Sequence, residues 1–151
     1  MSTRWRRRCS IGARIKTKPG STLRMTVAYW CVLIAAVIPL IAIGVAKVGG
    51  ERYNNRHPRV WLDKQQGYRA RAAAAQSNSF EAFPLFAAAV IIAHLTNAPQ
   101  GRLDLLAIVF VVARIVYLVC YLVDWHWARS FVWTIGFVTC VVIFLSGVAP
   151  G

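Results

Sequence analysis

Two ionisable side chains, Glu81 and Arg114, lie inside stretches otherwise apolar enough for a lipid bilayer. Charges there are costly and by default mark a functional or partner-binding position. Glu81 follows two amides, Gln76 and Asn78. On a helix, Asn78 and Glu81 (i, i+3) share a face, while Gln76 points elsewhere. Arg114, Tyr117, Tyr121 and Asp124 recur at i, i+3, i+7 and i+10, a polar stripe climbing one helix face. Taken alone, Tyr121 reads as an interfacial anchor. A stripe that starts at a mid-membrane arginine reads better as the wall of a cleft. Arg129 precedes Ser130, which is expected to N-cap the following helix. An arginine beside a helix N-terminus makes a positive spot suited to an anion or a thiolate. From position alone, a membrane anchor is the competing reading of Arg129. The sequence carries no Ser–His–Asp set, P-loop or metal-ligand cluster, and His57, His94 and His126 are scattered, as interfacial or structural histidines would be.

These side chains must be positioned by apolar segments. Hydrophobic residues make up 58% of the 151-residue chain and charged residues only 15%, with mean hydropathy +0.51, more apolar than a soluble domain requires. Four segments stand out. Thr26–Ala46 is uncharged, Leu105–Val123 is apolar apart from Arg114, and Ser130–Gly151 is uncharged. The remaining one, Ala82–Leu95, would be about 21 Å long as a helix, too short for a ~30 Å hydrocarbon core. Extending it back to Ala72 gives about 33 Å and draws Gln76, Asn78 and Glu81 into the membrane. Pro84 is expected as a tolerated kink. The fold class is therefore an all-α membrane protein, a four-transmembrane-helix bundle, with residues 25–151 as its single domain.

The charge pattern supports this topology. Of 18 Lys and Arg, eight lie in residues 1–24 and seven in Lys47–Arg71, so the +13 formal charge sits in two blocks beside apolar segments. That points to membrane topology, and no nucleic-acid partner is expected. Counted from Met1, basic residues divide almost evenly between the two faces. Counted from Met25, the links joining the first two and the last two spans carry eight and the opposite face one. The expected location is a bacterial inner membrane, with those two basic links cytoplasmic. Residues 1–24 are expected to be a disordered basic leader or a misassigned start. Cys9, Cys31, Cys120 and Cys140 have neither CxxC pairing nor regular spacing and read as inert thiols.

Depth links the two charges. With Glu81 nine residues into the second span and Arg114 nine residues from the corresponding end of the third, both lie about 14 Å deep. An ion pair between them is expected, either as a lock on the bundle or as part of a site. Because Gln76 faces away from Asn78, polar faces of neighbouring subunits are expected to build a cleft between them.

The stretches "QSNSFEAFPLF" and "RIVYLVCYLVDWHWARSFVW" resemble the MAPEG family, membrane-associated proteins in eicosanoid and glutathione metabolism. The resemblance runs from about Met25 to the C-terminus. It implies a homotrimer of four-helix protomers, with glutathione as cosubstrate bound between subunits. By position, Gln76, Asn78, Glu81, Arg114, Tyr117 and Tyr121 match glutathione-contacting residues. Arg129, with Ser130 beside it, matches the arginine that stabilises the thiolate. Where the family's eicosanoid enzymes carry Arg four residues before the Asn, this chain has Ala74, and Arg71 one turn earlier is the expected substitute.

Glutathione is an anionic thiol peptide whose site needs cations, an acid and amides shielded from water. A guanidinium and a helix N-terminus would lower the thiol pKa and so supply the nucleophile. The expected activity is a membrane-embedded glutathione-dependent transferase or peroxidase acting on lipophilic electrophiles or hydroperoxides that arrive from the bilayer. The alternatives are a non-catalytic MAPEG-fold scaffold or ligand-binding protein and, less favoured, a four-helix multidrug exporter. An exporter needs an unpaired, accessible intramembrane carboxylate, and the expected Glu81–Arg114 pair counts against it.

Overall fold

The computed structural model describes residues 25–50 and 52–147. The leader, residues 1–24, lies outside the described residues. The helices are α1 (Val27–Lys47), α2 (Pro58–Asp63), α3 (Tyr68–Leu95), α4 (Gln100–Leu122) and α5 (His126–Ser146). All but α2 are long and apolar enough to cross a membrane.

Each long helix begins earlier than apolarity alone suggests, α1 excepted. The start of α3 is Tyr68 rather than Ala72, that of α4 Gln100 rather than Leu105, and that of α5 His126 rather than Ser130. Charged residues near these starts conceal them, and two of those charges are occupied. Arg69, on the first turn of α3, donates from Nε to the Val48 carbonyl (3.2 Å) and from Nη1 to Gln65 Oε1 (2.6 Å). Asp104 of α4 accepts from the Ala28 backbone N–H (2.8 Å), satisfying an otherwise orphaned donor at the start of α1. The short α2 was not foreseen, although Pro58 at its first turn is a helix-start signal.

The long helices alternate in direction. Arg71 joins the start of α3 to the end of α4, while Ala28–Asp104 and Thr26–His94 (3.3 Å) join elements at the opposite end. Helices α3 and α4 are central, and α1 and α5 flank them without touching each other. A stripe of small residues governs the closest packing. Ala28, Cys31, Ala35, Ala42 and Ala46 of α1 and Ala72, Ala75, Ala89 and Ala93 of α3 are buried. Small side chains let helix backbones approach in lipid, where apolarity itself gives no drive to associate. Between α3 and α4, Phe86 and Phe110 stack with centroids 3.9 Å apart. The outer faces carry large apolar residues, among them Trp30, Leu40, Ile91, Val112 and Phe144. Pro84 lies within α3, which continues through it. Cys31, Cys120 and Cys140 are buried free thiols.

Candidate functional site

Arg114 anchors the polar interior. It is 4% exposed, and its Nη2 donates to Asn78 Oδ1 (3.1 Å) and Ser79 Oγ (3.0 Å). The expected ion pair with Glu81 does not form within the chain. Ser79 lies on the core-facing stripe with Ala72 and Ala75 and so meets Arg114 directly, whereas Glu81 is on an exposed face of α3. The matched depth was sound, since Arg114 does meet this part of α3; the partner was misassigned. Ser79 went unrecognised because a serine carries no charge signal. Its i+4 spacing from Ala75, on the small-residue face, was the available clue. With the pair gone, the objection to an exporter based on it falls as well.

A ladder of cations and rings rises from Arg114. Its guanidinium lies 4.2 Å from the Tyr117 ring centre, and Tyr117 meets Tyr121 edge-on at 5.1 Å. Arg129 of α5 then lies over Tyr121 at 4.5 Å. The i+3 and i+4 spacings on α4 stack these rings, and cation–π attraction holds a guanidinium at each end. The stripe expected from the sequence is a physical contact series from Arg114 to Tyr121, whereas Asp124 lies beyond α4, which ends at Leu122, and meets Arg71 instead.

Arg129 lies inside the first turn of α5, its backbone N–H bonded to the Trp125 carbonyl (2.9 Å). Ser130 is not the N-cap. Trp125 holds that position without a side-chain hydrogen bond, and Ser130 Oγ donates to the His126 carbonyl (3.2 Å). The helix began a turn earlier because His126 and Trp127 are tolerated in its first turn. The open N-terminus and the guanidinium together concentrate positive charge, with no acidic residue in that turn to offset it.

Two spaces divide the expected site residues. An outer cleft of about 440 Å³ is lined by Asn78, Tyr117, Tyr121, Arg129, Ser130, Trp133 and Thr134. A second, half-open crevice of about 150 Å³, bordered by the exposed Leu85, Trp133 and Phe137, includes Asn78, Glu81 and Arg114 in its lining. Asn78 and Trp133 border both, so the spaces adjoin. Gln76 lines neither. Arg71 is committed elsewhere: Nε donates to the Tyr121 carbonyl (2.9 Å), Nη2 to the Leu122 carbonyl (3.0 Å), and Nη1 lies 3.6 Å from Asp124. It closes the C-terminus of α4, where carbonyls lack helical partners. Ala74 is exposed and supplies no charge.

Four membrane-crossing helices around an internal arginine define an integral, multi-pass membrane protein with a polar interior. The MAPEG family model matches residues 27–149, and the chain belongs to that family. The family includes glutathione-dependent transferases and peroxidases. No curated protein and no solved structure matches the chain.

Proposed function

We propose that the protein is a glutathione-dependent transferase or peroxidase acting on lipophilic electrophiles or hydroperoxides, and that it works as a homotrimer. The observation that carries this reading is the outer cleft, where Arg129, at the open N-terminus of α5, faces Tyr117, Tyr121, Asn78 and Ser130. Its volume falls in the range of about 300–1,000 Å³ typical of small-ligand clefts. Its donors suit an anionic thiol peptide: a guanidinium for the thiolate, phenols and an amide for peptide carbonyls, and a hydroxyl.

Arg129 and the helix N-terminus favour the ionised sulfur, whose proton leaves to water. The sulfur then forms a bond to an electrophilic carbon, and the leaving group departs with its electron pair. With a hydroperoxide, two thiols become one disulfide, and the peroxide becomes an alcohol and water. Tyr121 fixes Arg129 from below, so the cation is in place before the substrate arrives. Glu81, exposed and without an ion pair among the described residues, is available to the ligand's ammonium. Gln76 and Arg71 would join the site only from a neighbouring subunit. The basic links are assigned to the cytoplasmic side, so the cleft opens towards cytoplasmic glutathione.

A non-catalytic ligand-binding member of the family is the second reading. It is favoured by the commitment of Arg71 to α4 and by Ala74, which together leave the cleft short of a carboxylate clamp. Titration of the purified protein with glutathione, followed by conjugation and peroxidase assays, separates the two. Saturable binding with turnover supports the enzyme. Binding without turnover supports the second reading, and no binding contradicts both.

A further inference from the structure

The basic link between α1 and α3 is folded and borders a pocket of its own. Gly49 and Gly50, at φ +73° and +67°, turn the chain off the end of α1. A ladder then ties the link to both helices. Lys47 lies 3.9 Å from the Tyr53 ring centre, Tyr53 meets Trp61 edge-on at 5.1 Å, and Arg69 lies over Trp61 at 5.2 Å. Gln65 Nε2 donates to the Trp61 carbonyl (2.8 Å), and the Arg56 backbone N–H donates to Asn54 Oδ1 (2.9 Å). On this frame Asn54, His57, Val60, Trp61 and Lys64 line a half-open pocket of about 170 Å³. The Lys64 ammonium, the His57 ring and Asn54 Nδ2 make no hydrogen bond among the described residues. Trp61 is 3% exposed, and its Nε1 is buried with no acceptor among the described residues. A buried donor left in that state is costly, and native folds rarely leave one. The charge around the pocket is one-sided: residues 52–67 carry Arg52, Arg56, Arg59 and Lys64 against Asp63.

We propose that this pocket binds a phosphate group, with Lys64 supplying the charge and Asn54, His57 and the Trp61 indole N–H donating to its oxygens. A cation and several donors, with Asn54 Oδ1 already occupied, suit an oxyanion. Phosphate fits better than carboxylate. Its oxygens point apart, so donors from different residues each find one, whereas a carboxylate presents two oxygens in one plane. The orphaned indole N–H is then explained, because its acceptor comes with the ligand. Two sources share this chemistry, the headgroup of an anionic phospholipid and a free phosphate. The fold brings the first within reach, since the ladder that frames the pocket runs from the last turn of one membrane-crossing helix, at Lys47, to the first turn of the next, at Arg69. Basic segments beside a membrane draw anionic lipids to such a place. Val60, 53% exposed on the pocket rim, gives the lipid an apolar contact. The pocket shares no residue with the Arg129 cleft, so the proposal is independent of the glutathione reading.

The test is NMR of the indole N–H groups of the full chain, labelled with ¹⁵N-tryptophan, in maltoside micelles, which contain no phosphate. Trp61→Phe identifies the Trp61 signal. Three titrants are compared: dioleoylphosphatidic acid, inorganic phosphate, and oleate as an anionic lipid without phosphate. Phosphatidic acid is expected to shift the Trp61 signal saturably, and oleate to leave it in place. Lys64→Gln should weaken this response about 10-fold, as loss of one hydrogen bond to a charged group implies. Arg52→Gln removes the same charge from the same link but does not line the pocket, and it should change the response less than about 2-fold. Lys64 and Arg52 are both exposed, and unchanged positions of the other indole signals show that the variants remain folded. A saturable shift with phosphatidic acid alone supports the site with a lipid as its source. A shift with inorganic phosphate at similar concentration supports it with a free phosphate. An equal shift with oleate, equal losses in Lys64→Gln and Arg52→Gln, or no shift with any titrant overturns the proposal.

Discussion

Arg114 is held by Ser79 at 3.0 Å, with Asn78 alongside at 3.1 Å, and not by the carboxylate of Glu81. A buried guanidinium satisfied by neutral oxygens keeps its positive charge uncompensated within the chain. Such a group fixes the bundle and at the same time attracts an anionic or acceptor-bearing ligand. Stability and ligand binding are therefore carried by different neighbours of the same arginine.

Ser79→Ala should destabilise the protein by about 1–3 kcal/mol, since a hydrogen bond to a buried charge is lost. Glu81→Gln should leave stability nearly unchanged while weakening glutathione binding. Thermal unfolding in detergent, paired with ligand titration, reads both. A large loss of stability in Glu81→Gln would mean that Glu81 and Arg114 pair after all.

Arg71→Ala should lower thermal stability, by about 1–3 kcal/mol, because carbonyls at the end of α4 lose a charged donor. Asp124→Asn should cost under about 1 kcal/mol, since the pair is long and Asp124 is 65% exposed. Equal losses in both variants would show that the ion pair, not the carbonyl contacts, holds the corner.

Asp104→Ala should raise amide exchange at the start of α1 and cost about 1 kcal/mol, as loss of a helix N-cap does. Glutathione binding should not change, because Asp104 is at the opposite end of the bundle from the cleft. Hydrogen exchange by mass spectrometry, with a binding titration alongside, checks both parts.

Apolarity revealed the four crossings and even the register of Arg114 against α3, because hydrocarbon demands uncharged side chains over a fixed length. It misjudged the helix starts, because helices continue past the hydrocarbon wherever charged ends find partners. Arg69 finds Val48 and Gln65, and Asp104 finds the first turn of α1. The Arg114–Tyr117–Tyr121 stripe was legible because helical spacing alone stacks those residues. Three-dimensional competition for Arg114 was not: whether Ser79 or Glu81 meets it depends on how α3 is rotated, and that is set by small residues packing on α1. The commitment of Arg71 was hidden for a similar reason, since its partners are backbone carbonyls, which any residue presents.

The central claim is that Arg129 stabilises a thiolate in the outer cleft. The direct measurement is the ultraviolet difference absorbance of thiolate when glutathione is added to the purified protein, compared between the parent, Arg129→Lys and Arg129→Ala. The parent should show a saturable thiolate signal at neutral pH, Arg129→Lys a reduced one, and Arg129→Ala none, with glutathione still bound. An undiminished thiolate signal in Arg129→Ala, or bound glutathione that remains a thiol in the parent, would contradict the account.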